Sequence, residues 1–232
     1  MNHSPLTATP LFHLGPVPIT EALIVTWAIM AAMVLFSILL TRKLRLRPGE
    51  TQAVMELVTG AIDSQIAEVM QTDPAPYRTL IGTIFLFVLV ANWSGSLPGI
   101  GPPTARLETD AALALIVLGA TILYGVRAAG PWGYLKTFAE PGWIMIPLNL
   151  VEQITRTFSL IIRLFGNVMS GAFVVGIVLS LAGLLVPIPL MALDLLTGAV
   201  QAYIFAILAC VFIGGAVSES MKPASPDRRS ET

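Results

Sequence analysis

The chain alternates between long apolar runs and short polar interruptions, and the runs have the length of bilayer crossings. A hydrocarbon core about 30 Å thick takes about 20 helical residues. Five regions meet or approach that length: residues 22–40, 79–97, 111–126, 143–186 and 190–218. Ala22 to Leu40 is uncharged and stops against Arg42, Lys43, Arg45 and Arg47; Thr79 to Leu97 closes at Pro98 and Gly99. Ala111 to Val126 is shorter and spans only if its ends tilt or reach into the interface. The fourth region carries Glu152, Arg156 and Arg163, and the fifth carries Asp194 alone. Pro187 and Pro189 separate these two, because proline removes a backbone donor and clashes with the preceding turn. The pattern predicts an all-α membrane protein with about five transmembrane helices.

Between the first two spans the periodicity changes. Over residues 52–70, Val54, Leu57, Val58, Ile62, Ile66 and Val69 recur at spacings of three and four, with Glu56, Asp63 and Glu68 elsewhere on the turn. This is an amphipathic helix, lying at the membrane interface or against a partner. Residues 1–20 form an N-terminal segment without lysine or arginine; a full-length span follows it, so it does not read as a cleaved signal peptide. Residues 21–219 form one polytopic membrane domain, with no inverted repeat visible. The tail at 220–232, with Pro223, Pro226, Asp227 and Arg228, reads as disordered.

Composition narrows the function. Of 232 residues, 55% are hydrophobic and 12% charged, against about a quarter charged in soluble domains. That excludes a soluble enzyme. A formal net charge of −1 excludes a basic nucleic-acid binder, and a single cysteine, Cys210, excludes an internal disulfide or a cysteine-cluster metal site. His3 and His13 lie near the start, so no apolar stretch offers an imidazole to a metal or haem. No phosphate-binding G-x-x-x-x-G-K-[ST] motif occurs. The reading therefore assigns no catalytic residue, no metal and no cofactor. With the N-terminus outside, ten of the 13 basic residues fall on the cytoplasmic side: Arg42, Lys43, Arg45, Arg47, Arg78, Arg127, Lys136, Lys222, Arg228 and Arg229; Arg106 alone falls outside. That bias predicts an outer N-terminus and a cytoplasmic C-terminus.

The remaining charges carry the chemistry. Asn149, Arg156, Arg163 and Ser170 are seven apart in succession, Glu152 and Ser159 fall between them, and Asn167 follows Arg163 by four. On a helix these form one polar stripe. Glu152 and Arg156 can neutralise each other, whereas Arg163 has no acid one turn away. An arginine near a bilayer centre costs about 2.5–3.5 kcal/mol even on the forgiving insertion scale. It requires Asp194, a water-filled path, or a charge on another subunit. The last span presents a second line, Asp194, Thr197, Gly198 and Gln201. Gln201 alone reads as an interhelical hydrogen bond, worth about 0.6 kcal/mol in membranes. In register with Asp194, it points to an aqueous or ion-conducting interface. A stand-alone transporter or channel whose Arg163 binds an anion stays open on these residues.

The run from Phe158 to Gly171, FSLIIRLFGNVMSG, resembles the signature of subunit a of F-type ATP synthases, S-L-x-x-R-L-F-G-N followed by a small residue. Pro48 to Gln52 with Glu56, Phe85 to Phe87 with Asn92, Gly95 and Pro98, and Gln201 to Phe205 are similar to other segments of that family. The resemblance covers most of residues 20–219. It implies a non-catalytic membrane stator beside a rotating c-ring of proteolipid subunits, with subunit b and the F1 ATPase sector as further partners. Its last two long helices would be tilted against the ring, in a bacterial inner membrane. It makes Arg163 the stator arginine, Asn167 its neighbour one turn along, and Gln201 the last-helix glutamine.

The departures are specific. The family often has an acidic or imidazole group after the signature glycine, coupled to one in the last helix seven residues before the glutamine; here these positions are Ala172 and Asp194. Asn149 stands where a glutamate is common, with Glu152 a turn later, and Arg156-Thr157 replaces a frequent Lys-Pro. Arg106, Glu108 and Asp110 replace the usual Asp-x-Asn-x-Thr. These changes imply a divergent branch such as the N-type ATPases, and they leave proton and sodium both open as the ion.

Overall fold

A computed structural model describes residues 10–14, 17–42, 49–96, 101–139, 145–183 and 186–221. The basic stop at 43–47, the turn at 98–99 and the tail at 222–232 lie outside the described residues. A two-stranded antiparallel hairpin, β1 (Pro10–Leu14) and β2 (Val17–Thr20), leads directly into the first helix. Among the described residues six α-helices follow, α1 (Glu21–Thr41), α2 (Glu50–Met70), α3 (Ala75–Ser94), α4 (Leu107–Ala139), α5 (Met145–Ala182) and α6 (Pro187–Met221), with a 3-10 turn at Pro103–Ala105 before α4. All but α2 are long and apolar enough to cross a membrane. The all-α membrane class therefore holds, with the small hairpin as an addition that the apolar pattern did not mark.

The third membrane helix is longer than its uncharged core. α4 starts at Leu107, taking Glu108 and Asp110 into its first turn, where acidic side chains suit the helix dipole. It continues past Val126 to Gly130, whose φ of 77° lies in a region that favours glycine; with Pro131 next, the axis breaks there. α5 and α6 hold 38 and 35 residues. At 1.5 Å per residue they are roughly 57 and 53 Å long, well beyond a 30 Å hydrocarbon core, so both must slant or protrude.

α6 is the central pillar. A larger core joins Ala202, Phe205 and Ala209 of α6 to Val88 and Ala91 of α3, Ala114 and Val117 of α4, and Leu160 and Leu164 of α5. A second core places Ile66 of α2 with Tyr77 and Ile81 of α3 and Cys210, Ile213 and Val217 of α6. The amphipathic α2 thus docks its second half on the bundle, leaving Val54, Met55 and Leu57 exposed. Arg78 of α3 pairs with Asp63 of α2, and the Tyr203 hydroxyl donates to Gln65 Oε1 at 2.6 Å. In α1, Trp27, Val34, Leu35 and Phe36 are exposed. That is a surface for lipid or a partner rather than for water.

Candidate functional site

The polar stripe of α5 forms as the spacing predicts, because 38 uninterrupted helical residues keep its register. Glu152 pairs with Arg156, and the Arg156 guanidinium lies 5.4 Å from the centroid of the Phe212 ring on α6. Arg163 is exposed, and its Nη2 donates to Ser159 Oγ at 3.5 Å, the long limit of a hydrogen bond. No ion pair joins Arg163 to Asp194 among the described residues, so the simple interhelical clasp is not formed. Glu152, Arg156 and Arg163 instead share a groove of about 540 Å³ floored by Leu208 and Phe212 of α6. Asn149 joins Glu152 and Arg156 in an adjoining cavity of about 60 Å³, with Thr121, Tyr134 and Glu219.

Farther along α5, Asn167 is half-buried one turn beyond Arg163. Beyond it a separate cavity of about 530 Å³ opens, lined by Met169, Ala172, Phe173 and Ser180 of α5, Arg106, and Ala22 at the start of α1. The stripe is therefore flanked by space on both sides of Arg163: residues 148–163 border the first groove and 169–180 border the second cavity. Ala172 contributes an apolar methyl group to this cavity wall.

The polar line of α6 is more deeply built in. Gln201 is buried, and its Nε2 has no hydrogen-bond partner. The carboxylate of half-buried Asp194 lies directly over Gly171 of α5, and even a methyl group at Gly171 would collide with it. The register of α6 around Gly198 is fixed by α3. Asn92 Nδ2 donates to Gly198 O at 2.9 Å while its Oδ1 accepts from Thr104 Oγ1 at 2.8 Å. Trp93 Nε1 donates to Leu195 O at 3.0 Å. A Cβ on Gly198 would lie 3.1 Å from that of Asn92, so the glycine is what lets the two helices approach.

The structure thus brings Asn149, Glu152, Arg156 and Arg163 to one groove system and holds Asp194 and Gln201 on the facing helix. Two further acids stand outside the predicted set. Glu219 joins the small cavity from the end of α6, just past the apolar run that defined the span. Asp110 is fully buried within α4, where the sequence reads as a loop because the uncharged run begins one residue later. Its spacing to Ala114, Val117 and Thr121 on one helical face was the available signal.

Comparison with known proteins decides the family. The sequence profile described as ATP synthase A chain matches residues 23–214. The chain belongs to the ATP synthase A chain family. It is 54% identical over 222 residues to ATP synthase subunit a 2 of a Bradyrhizobium species, covering 96% of this chain and all of that one. It is 45% identical to ATP synthase subunit a of Albidiferax ferrireducens, over 87% and 88% of the two chains. Identity to ATP synthase subunit a 1 of Hahella chejuensis is 41%, over 96% of each. As a member of the ATP synthase A chain family, this chain places Arg163, Asn167 and Gln201 inside the matched region.

Proposed function

We propose that this chain is the ion-translocating stator subunit of a rotary F-type ATP synthase, non-catalytic itself, with Arg163 facing the carboxylate of a c-ring. The observation that carries the reading is the position of Arg163 between two separate spaces along one long helix. The groove at Glu152, Arg156 and Arg163, continuing into the cavity with Asn149 and Glu219, serves as one half-channel. The cavity beside Ala172 and Arg106 serves as the other. With the orientation given by the basic-residue bias, the first opens to the cytoplasm and the second outward.

The mechanism follows from the cost of burying charge. A ring carboxylate facing lipid is neutral, loaded with a proton or a sodium ion, because an unpaired anion is far too costly there. Beside Arg163 the ionised form is favoured, so the ion leaves into one half-channel and another is taken from the second. Arginine suits this position because it does not deprotonate and so cannot itself pass a proton between the half-channels. Each charge crossing 100 mV supplies about 2.3 kcal/mol, so several must cross for each ATP, and a leak past Arg163 would uncouple the machine. Asp194 and Gln201 border this path from α6, and Asn167 lines it from α5. The c-ring, a subunit b stator and the soluble ATPase sector are the partners, in a bacterial inner membrane.

The test is Arg163→Ala in the assembled complex reconstituted into liposomes. The complex is expected to assemble normally and to lose ATP-driven ion movement altogether. Pumping at the wild-type rate would overturn the reading. Varying sodium at fixed pH, with an ionophore control, assigns the ion.

A further inference from the structure

α4 does not end as a plain membrane span. At Gly130 the backbone takes a φ of 77° and a ψ of 166°, a combination that residues with a side chain rarely adopt. Pro131 follows, with no N–H to continue the ladder. Beyond this break the ring of Tyr134 rests on buried Gly125, where even a methyl group would collide with it. Residues nine apart on a straight helix are separated by roughly 13.5 Å along the axis, farther than a tyrosine side chain reaches. The break at Gly130 is therefore what brings the ring to Gly125.

That seat puts the ring in a wall. Tyr134 is half-buried and lines the cavity of about 60 Å³ that also holds Asn149 and Glu219. All the residues lining that cavity except Phe212 and Ala216 carry hydrogen-bonding side chains. A water occupies about 30 Å³ in the liquid and needs two to four polar partners, so this space suits about two waters. The groove that shares Glu152, Arg156 and Phe212 with it holds about 540 Å³. The narrow part of the polar space is thus the part that Tyr134 walls. Two residues earlier, Trp132 is 85% exposed, so the segment carrying Tyr134 runs at the surface of the chain.

We propose that Tyr134 is the aperture residue of the inner half-channel, its ring limiting passage to water and small ions and shutting out larger solutes. The assignment deepens the stator reading above and rests on it. Three positions build the device. Gly130 with Pro131 turns the chain, Gly125 leaves a seat without a side chain, and the Tyr134 ring fills the space between that seat and the cavity. The bulk of the ring sets the width, so phenylalanine serves as well as tyrosine. Cations larger than a hydrated proton or a sodium ion are kept away from the Arg163 groove on this side.

The width can be read directly with thiol probes on the assembled complex in inverted membrane vesicles, whose cytoplasmic face is outward. Ala216→Cys places a thiol on the cavity wall, and buried Cys210 is replaced by alanine. The probes are silver ion and a bulkier methanethiosulfonate bearing a trimethylammonium group. With Tyr134 in place, silver is expected to react and the bulky reagent to be excluded. Tyr134→Ala is expected to raise the rate of the bulky reagent by at least about tenfold, because modification of a thiol follows its exposure. Tyr134→Phe is expected to match the wild type. Gly125→Ala, whose methyl group displaces the ring, is expected to act like Tyr134→Ala and gives the answer should that variant fail to assemble. Equal rates for the bulky reagent with and without the ring overturn the proposal. So does exclusion of silver by the wild-type protein, or a Tyr134→Phe rate as high as that of Tyr134→Ala. Arg163→Ala is run alongside for ATP-driven pumping. Pumping by Arg163→Ala overturns the stator reading, whereas absence of size discrimination with Arg163→Ala inactive overturns the aperture alone.

Discussion

α5 and α6 are alike in length and hydropathy, yet 44% of an 18-residue apolar stretch is buried in α6 and only 11% of one in α5. α6 is held by α2, α3, α4 and α5 and keeps Gln201 inside. α5 touches the core through Leu160, Leu164 and Val168 and turns Ile154, Phe158, Ile162, Phe173 and Val174 outward beside Arg163. An apolar face next to an exposed arginine is incomplete in either lipid or water. The difference separates a structural pillar from an open surface: α6 is packed within the chain, whereas α5 leaves an apolar face uncovered. On the function proposed above, the seam between them is where translocation and folding requirements meet.

The sharpest way to break that seam is Gly171→Val. The new side chain would run into the Asp194 carboxylate, forcing the helices apart or turning Asp194 away. Overpacking of this kind costs about 1–3 kcal/mol. The larger expected consequence is on coupling, because Gly171 sits between Met169 and Ala172, which line the neighbouring cavity. ATP-driven ion movement in liposomes is expected to drop by about tenfold, the equivalent of about 1.4 kcal/mol in a barrier. Unchanged rates would show that the approach of α5 to α6 at this level is not required.

Asn92→Ala tests the pillar. It removes the donor to Gly198 O and strands the buried Thr104 hydroxyl, which has 0% exposure. Leaving a buried group unsatisfied costs about 1–3 kcal/mol. The expected result is a lower unfolding temperature of the purified chain, measured by thermal denaturation in detergent. The effect on ion movement should be smaller than that of Gly171→Val. A coupling defect exceeding the stability loss would move Asn92 from the scaffold to the path.

These two residues also mark how far the sequence could be read. The membrane class, the register of the α5 stripe and the Arg163 signature were legible because they depend on helical period and on local motif. Gly171 stood in the signature, but its contact with Asp194 depends on how two helices cross, which no period encodes. Asn92 was visible as a resemblance, not as the link from α3 to Thr104 and α6. Asp110 and Glu219 were missed for a shared reason: the apolar runs stop beside them, at Ala111 and Ser218, whereas the helices run on and carry those acids with them.

Gly166→Ala produces the smallest expected change in the chain by itself and bears most directly on the contrast between the helices. Gly166 lies on exposed α5, three residues from Arg163, and a Cβ there would meet nothing within 4 Å. Alanine is the better helix former by about 1 kcal/mol. The isolated chain should therefore be unchanged or slightly more stable in thermal denaturation. If α5 is completed by a ring packed closely against it, the same methyl group enters that contact and slows ATP-driven ion movement in the assembled complex. A gain in stability together with a loss of pumping would locate the partner on this face. Equal rates in both proteins would mean that the ring stands clear of Gly166 and approaches α5 only at Arg163.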